Sequence, residues 1–294
     1  MNSSFGDIIT AMVTAFHEDG QVNYQATADL ALHLVESGSD GLVVSGTTGE
    51  SPTLTDEEKV ELFHVVKEAV GGRAAVIAGT GSNDTAHSVH LTGRAHEAGV
   101  DGILAVTPYY NKPPRAGIIA HFRAIAAATD KPVILYNIPG RTALNVGPET
   151  LAELNETDNI VAVKQANPDL EQSRLLASIC DMGIYAGNDD MLLPLLELGA
   201  WGGICVASHL AGRQMKKMVE LYRSGNLAEA GAINDSLAPL YKALFITANP
   251  IPVKAALNMT GLDVGGVRLP LVPATAAEES QIRDALAAGA LIGG

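Results

Sequence analysis

Eight short apolar runs, rich in β-branched side chains, recur along the chain, and the segments between them space their apolar residues as helices do. The runs fall at 8–16, 41–48, 74–81, 102–110, 132–138, 160–166, 183–188 and 202–208. Runs that are apolar throughout, rather than alternating, read as strands buried on both faces. Strand and helix alternating eight times, with crossovers of the length a βαβ unit needs, predict an α/β fold: a closed parallel (β/α)8 TIM barrel. From about residue 226 the strands stop, and helical patterns alone remain at 227–247, 252–259 and 275–291. This predicts a catalytic barrel over 1–225 and a C-terminal helical region over 226–294 that packs on it.

The helix ends agree with that division. Thr55 and Glu58 have capping-box spacing, Asp84 stands where an N-cap would, and Pro148 follows Gly147 at a first helical position. Gly38, Gly71, Gly99 and Gly199 each close a helical pattern, where a positive φ is needed.

Composition narrows the function. With 33 acidic against 19 basic side chains, the chain has a net charge of -14 and would repel nucleic acid and anionic lipid. No apolar run approaches the ~18 residues that span a bilayer, and the N-terminus lacks a basic start and an apolar signal core, so a cytoplasmic location is expected. Cys180 and Cys205 are too far apart for a metal-type spacing and are expected as buried free thiols. His87, His90 and His96 share one helix without converging, so they are expected at the surface and no metal is expected. An anionic substrate would need a local cation against this global field.

Active sites of such barrels lie at the C-terminal strand ends, so the polar residues closing each run matter most. Lys164 ends the run Ile160-Val161-Ala162-Val163, where an ammonium is poorly hydrated. Desolvation disfavours a charged amine, and a neutral amine can form a Schiff base with a carbonyl. A strand-capping lysine paired with a carboxylate is the structural alternative. Gly46-Thr47-Thr48-Gly49 can fold as a tight turn offering amides and hydroxyls to a carboxylate, or serve as a plain strand-to-helix loop. Glu50, just after it, reads as a helix-start or surface acid. Tyr136 shares the parity of Ile134 and should point into the barrel, where a phenol facing Lys164 could shuttle protons. Arg141 follows a Pro-Gly turn, and its planar fork suits a carboxylate held at two points. Together these residues suggest a Schiff-base aldolase acting on a keto acid.

At these residues the chain resembles the family of pyruvate-dependent class I aldolases that includes dihydrodipicolinate synthase and N-acetylneuraminate lyase. The likeness runs from Ala11-Met12-Val13-Thr14 through Gly-Thr-Thr-Gly-Glu-Ser, Val106-Thr107-Pro108-Tyr109-Tyr110, Tyr136-Asn137-Ile138-Pro139-Gly140-Arg141 and Val163-Lys164 to Asn249-Pro250-Ile251-Pro252-Val253-Lys254 and Arg268-Leu269-Pro270. Arg141 is similar to the synthase branch. The resemblance implies condensation of pyruvate with L-aspartate semialdehyde, without a cofactor, giving 4-hydroxy-tetrahydrodipicolinate for lysine and diaminopimelate synthesis. It also implies roles. Lys164 forms the imine, and Tyr136, Thr47 and Tyr110 make a proton relay, with Tyr110 reaching in from a neighbouring subunit of a homotetramer, a dimer of dimers. Thr48 holds the pyruvate carboxylate, Arg141 meets that of the semialdehyde, and Gly187 and Ile204 line the pocket.

Two departures stand out. Gln165 follows the lysine where an acidic residue is common, and strand alternation should turn it away from substrate towards the helices. Lysine-inhibited relatives tend to carry histidine at the position of Lys59 and glutamate at that of His87, so feedback by L-lysine is expected to be weak or absent. Two other readings remain: a 2-keto-3-deoxy sugar-acid lyase of the same fold, against which Arg141 argues, and a barrel that binds a keto acid without catalysis.

Overall fold

The computed structural model describes residues 5–289 and 291. Eight strands, β1 (Ile8–Ala11), β2 (Gly41–Val44), β3 (Ala75–Gly79), β4 (Gly102–Val106), β5 (Val133–Asn137), β6 (Ile160–Gln165), β7 (Gly183–Ala186) and β8 (Gly202–Cys205), close into a parallel barrel in chain order. Between them lie α1 (Tyr24–Glu36), α2 (Asp56–Val70), α3 (Thr85–Glu97), α4 (Arg115–Ala127), α5 (Pro139–Thr142), α6 (Pro148–Leu154), α7 (Leu170–Ile179) and α8 (Leu192–Leu196). After β8 come α9 (Ser208–Arg223), α10 (Leu227–Ala243), α11 (Ile251–Met259) and α12 (Ala276–Ala288), with α10 packed on α9 and α12, and α11 on α12.

Each expected run contains its strand, but the ladders are shorter than the runs. Run 8–16, for instance, joins the barrel as a strand only over Ile8–Ala11, while Met12 and Val13 beyond it stay 1% exposed. Their apolar character reflects burial in the core rather than membership of a strand, so hydrophobicity alone overstates strand length.

The strands bury two faces. Ile9, Ala11, Val43, Ile77, Leu104, Ile134, Tyr136, Ala162, Tyr185 and Ile204 fill the barrel interior, and a larger apolar layer lies between strands and helices. The caps form as their residues dictate: Thr55 and Glu58 close a capping box, Asp84 accepts the N–H groups of Ala86 and His87, and Pro148 opens α6. The four helix-ending glycines all take positive φ, between 55° and 103°.

Candidate active site

Strand register sets the centre of the site. Tyr136 on β5 and Lys164 on β6 are Cα partners, so both side chains rise at one level inside the mouth. Lys164 is only 5% exposed, and its Nζ lies 4.3 Å from the centroid of the Tyr136 ring. Among the described residues no carboxylate forms an ion pair with it. Gln165 turns outward as expected: buried, it accepts a hydrogen bond from Asn137 Nδ2 at 2.8 Å.

Past β2 the chain folds into the expected turn, with Glu50 N–H donating to Thr47 O at 3.1 Å and Ser51 N–H to Gly46 O at 3.2 Å. Thr47 is half-buried, while Thr48 is buried and its Oγ1 accepts from Asn249 Nδ2 at 2.9 Å. Glu50 corrects the sequence reading. It is no surface acid: it lies 2% exposed in a left-handed conformation (φ 57°), pairs with Lys254 Nζ at 3.1 Å, and accepts the Arg268 N–H at 2.9 Å. Its polar, glycine-rich neighbourhood gave no hint of a buried cation, because Lys254 arrives from 204 residues away.

Arg141 sits on the short α5, exposed, with Nη2 donating to Asn249 O at 3.3 Å. A cavity of about 520 Å³ opens in front of it, with Thr47, Tyr136 and Arg141 in its wall. The Tyr136 ring therefore stands both on the cavity and over the amine of Lys164. Thr48, Lys164 and Ile204 are buried in the mouth and, with half-buried Gly187, do not form part of that cavity wall. At Gly187 a Cβ would come within 2.7 Å of the Ala166 Cβ, so the backbone there approaches β6 more closely than any side chain permits. Tyr110 is not brought to the centre within one chain: it is 88% exposed, on the loop after β4, with φ 73°.

The cavity continues outward between the starts of α2 and α3, past Asp56, Lys59, Asn83, His87 and Tyr109. Here His87 Nε2 lies 2.9 Å from both Asp56 carboxylate oxygens, and Lys59 Nζ is 3.6 Å from Oδ1. Burial raises the Asp56 carboxyl, but the His87 hydrogen bond and the charges of His87 and Lys59 outweigh it and leave it below the usual carboxylate range. His90 is exposed and His96 pairs with Asp130, so the three helix histidines do not converge.

Behind the lysine, Asp189 is fully buried and accepts the N–H groups of Val206 at 2.9 Å and Ala207 at 2.7 Å. Burial raises its carboxyl, with those two hydrogen bonds and the Lys164 charge opposing. Cys205 is buried, and burial followed by the Asp189 charge pushes its thiol well up, whereas Cys180 is half-buried; both are free.

Sequence reasoning assigned no role to Asn249, Lys254 or Arg268, although the motifs containing them carried the family likeness. A hydrogen bond spanning some two hundred residues leaves no local signal; the available clue was that an otherwise helical tail contains motifs as specific as those of the barrel.

The dihydrodipicolinate synthetase family model matches residues 4–289. The chain is 54% identical to a 4-hydroxy-tetrahydrodipicolinate synthase of Desulforamulus reducens, over 95% of this chain and 96% of that one. Among solved structures it is similar to DHDPS from Cyanidioschyzon merolae with lysine bound (49% identity, TM-score 0.97, covering 99% of this chain and 100% of that one). It is also similar to the chloride-inhibited enzyme of Acinetobacter baumannii complexed with pyruvate (37% identity, TM-score 0.95, covering 99% and 100%).

Proposed function

The chain belongs to the dihydrodipicolinate synthetase family, and from that premise we propose that it is a lyase that condenses pyruvate with L-aspartate semialdehyde to 4-hydroxy-tetrahydrodipicolinate. Lys164 Nζ attacks C2 of pyruvate, and loss of water leaves the imine. Removal of a proton from C3 gives an enamine that attacks the aldehyde carbon. The amine of the incoming substrate then displaces Lys164 at C2, which closes the ring and frees the enzyme. Tyr136 and Thr47 carry protons in these steps. Thr48 with its turn amides holds the pyruvate carboxylate, Arg141 holds that of the semialdehyde, and Gly187 and Ile204 shape the pocket.

The observation that carries the reading is the buried Lys164 amine, 4.3 Å from the Tyr136 ring centroid and in no salt bridge among the described residues. Borohydride reduction in the presence of pyruvate tests it: mass spectrometry should find a reduced pyruvyl group on Lys164 and on no other lysine. A label elsewhere, or none, ends the aldolase reading.

Tyr110 supplies the third relay hydroxyl to a neighbouring subunit of a homotetramer, a dimer of dimers. Its support is an aromatic side chain 88% exposed on a backbone held at φ 73°, strain that an isolated loop has no reason to keep. Mixing inactive Tyr110→Phe subunits with inactive Lys164→Ala subunits should restore part of the activity if sites are shared, and none if they are not.

A further inference from the structure

A threonine hydroxyl has one proton and two acceptor lone pairs, so a donor bonded to it decides which way the proton points. At Thr48 that donor is Asn249 Nδ2, 2.9 Å from Oγ1. Among the described residues nothing accepts the Thr48 proton in return. Asn249 is 6% exposed, and its side-chain Oδ1 is buried without a partner among the described residues. The amide thus makes one side-chain hydrogen bond here, the one to Thr48, while leaving an acceptor unmet at a cost. The backbone oxygen of the same residue takes Arg141 Nη2 at 3.3 Å. Two residues past Thr48, Glu50 is fixed from the same C-terminal region by Lys254 and by the Arg268 N–H.

We infer that Asn249 is a positioning residue that sets the polarity of Thr48: by occupying an oxygen lone pair, its amide turns the hydroxyl proton into the barrel mouth, where it is a donor for a carboxylate. The inference rests on the reading of Thr48 as the site of the pyruvate carboxylate. It makes part of the C-terminal helical region a component of substrate recognition.

Asn249→Asp reverses the hydrogen bond at almost unchanged volume. Thr48 would then donate to the introduced carboxylate and show lone pairs, beside a new negative charge, to the incoming substrate. The readout is the pyruvate concentration that half-saturates borohydride labelling of Lys164, which needs no second substrate. It should rise about thirtyfold in Asn249→Asp and roughly fivefold in Asn249→Ala, where the hydroxyl merely turns freely. Labelling at saturating pyruvate should reach the wild-type extent. Lowering the pH to about 5 should shrink the Asn249→Asp penalty relative to wild type, because a buried carboxyl protonates readily and becomes a donor again, while leaving the Asn249→Ala penalty unchanged. In a Thr48→Val background the neutral change Asn249→Ala should add less than about twofold, since no hydroxyl remains to turn, whereas Asn249→Asp keeps only the part of its penalty that comes from its charge. If Asn249→Asp folds poorly, Asn249→Ala with and without Thr48→Val carries the same comparison. Half-saturation within threefold of wild type in both Asn249 variants, or full additivity with Thr48→Val, overturns the inference. Failure of the wild-type enzyme to label at Lys164 overturns instead the aldolase reading beneath it.

Discussion

Two lysines of this barrel are buried to nearly the same degree, Lys164 at 5% exposure and Lys254 at 2%, and each stands over an aromatic ring, 4.3 Å from Tyr136 and 4.2 Å from Phe16. They differ in what else they touch. Lys254 donates to Thr14 O at 2.8 Å and to Glu50 at 3.1 Å, so its ammonium is met by a carbonyl and a carboxylate. Lys164 has the ring and, among the described residues, no ion pair. Burial pulls Lys254 down to about 8 even though the Glu50 charge opposes it. Burial is therefore common to both sites and cannot be what makes a lysine a nucleophile. What separates them is how the amine is satisfied and whether a cavity reaches its neighbourhood, as it does at the Tyr136 ring.

Removing each lysine should give opposite phenotypes. Lys164→Ala should lower activity by roughly a thousandfold or more and abolish borohydride labelling, with the melting temperature held or raised, because a nucleophile is lost and no ion pair is broken. Lys254→Met should leave labelling of Lys164 intact but cost about 3 to 5 kcal/mol of stability, since Glu50 is left buried and unpaired. Adding Glu50→Gln should return part of that loss. A stable Lys254→Met protein that no longer labels would break the comparison.

The contrast shows which parts of the molecule its sequence discloses. The barrel was legible because its information is local: a β-branched run, a capping threonine or a helix-ending glycine states its role within a few residues. Lys164 and Tyr136 were legible for the same reason, each lying at a strand end with a parity that fixes its direction. Lys254, Asn249 and Arg268 lie in segments that read as ordinary helix or loop, and their partners are at least 108 positions away at Arg141, Thr48 and Glu50. Nothing local says whether a lysine in an apolar helix meets a carboxylate. Glu50 was misjudged for this reason, as its partner is visible only in the fold.

A neutral clamp near the same mouth sharpens the distinction between satisfied and open groups. His209 is buried, its Nε2 accepts the Val13 N–H at 3.1 Å, and its Nδ1 donates to Val206 O at 2.8 Å, which fixes the neutral tautomer. Burial lowers it from 6.5 to about 4. A histidine held below its unfolded value stabilises the fold fully above 6.5 and loses that contribution as pH falls through about 4. The loss is on the order of 3 kcal/mol, and His121, lowered by burial to about 4 as well, adds to it. Urea unfolding at several pH values should show stability falling over that window, with a shallower fall in His209→Asn. Equal slopes would remove His209 from the account.

Arg141 tests the open side of the comparison more gently. It is exposed and, among the described residues, its guanidinium makes one hydrogen bond, to Asn249 O, long at 3.3 Å, so it has donors to spare for a substrate. Arg141→Ala should raise the Michaelis constant for the semialdehyde about thirtyfold, roughly 2 kcal/mol, with a much smaller effect on pyruvate. The reverse pattern would show that the guanidinium serves the first substrate.

The smallest effect expected is a lack of one. In the outer cleft a cationic inhibitor such as L-lysine needs an anion, and the sequence alone suggested that His87 leaves none. The fold supplies Asp56, which the sequence reading had not weighed, yet that carboxylate is already bridged by His87 at 2.9 Å and approached by Lys59 at 3.6 Å. Like Glu50 beside Lys254, it is an anion whose partners are present before any ligand arrives. A lysine ammonium would have to displace His87 and sit against Lys59, a repulsion on the order of a kcal/mol or more in a partly buried cleft. Initial rates across a lysine titration at fixed pyruvate should therefore be nearly flat into the millimolar range. His87→Glu combined with Lys59→His frees Asp56, adds a second carboxylate and removes the repelling ammonium, so the double variant should be the more sensitive protein. Half-inhibition of the wild-type enzyme below a millimolar would mean that the Asp56 pairs yield to a ligand, and that a satisfied anion in this cleft is as open as Lys164 is in the mouth.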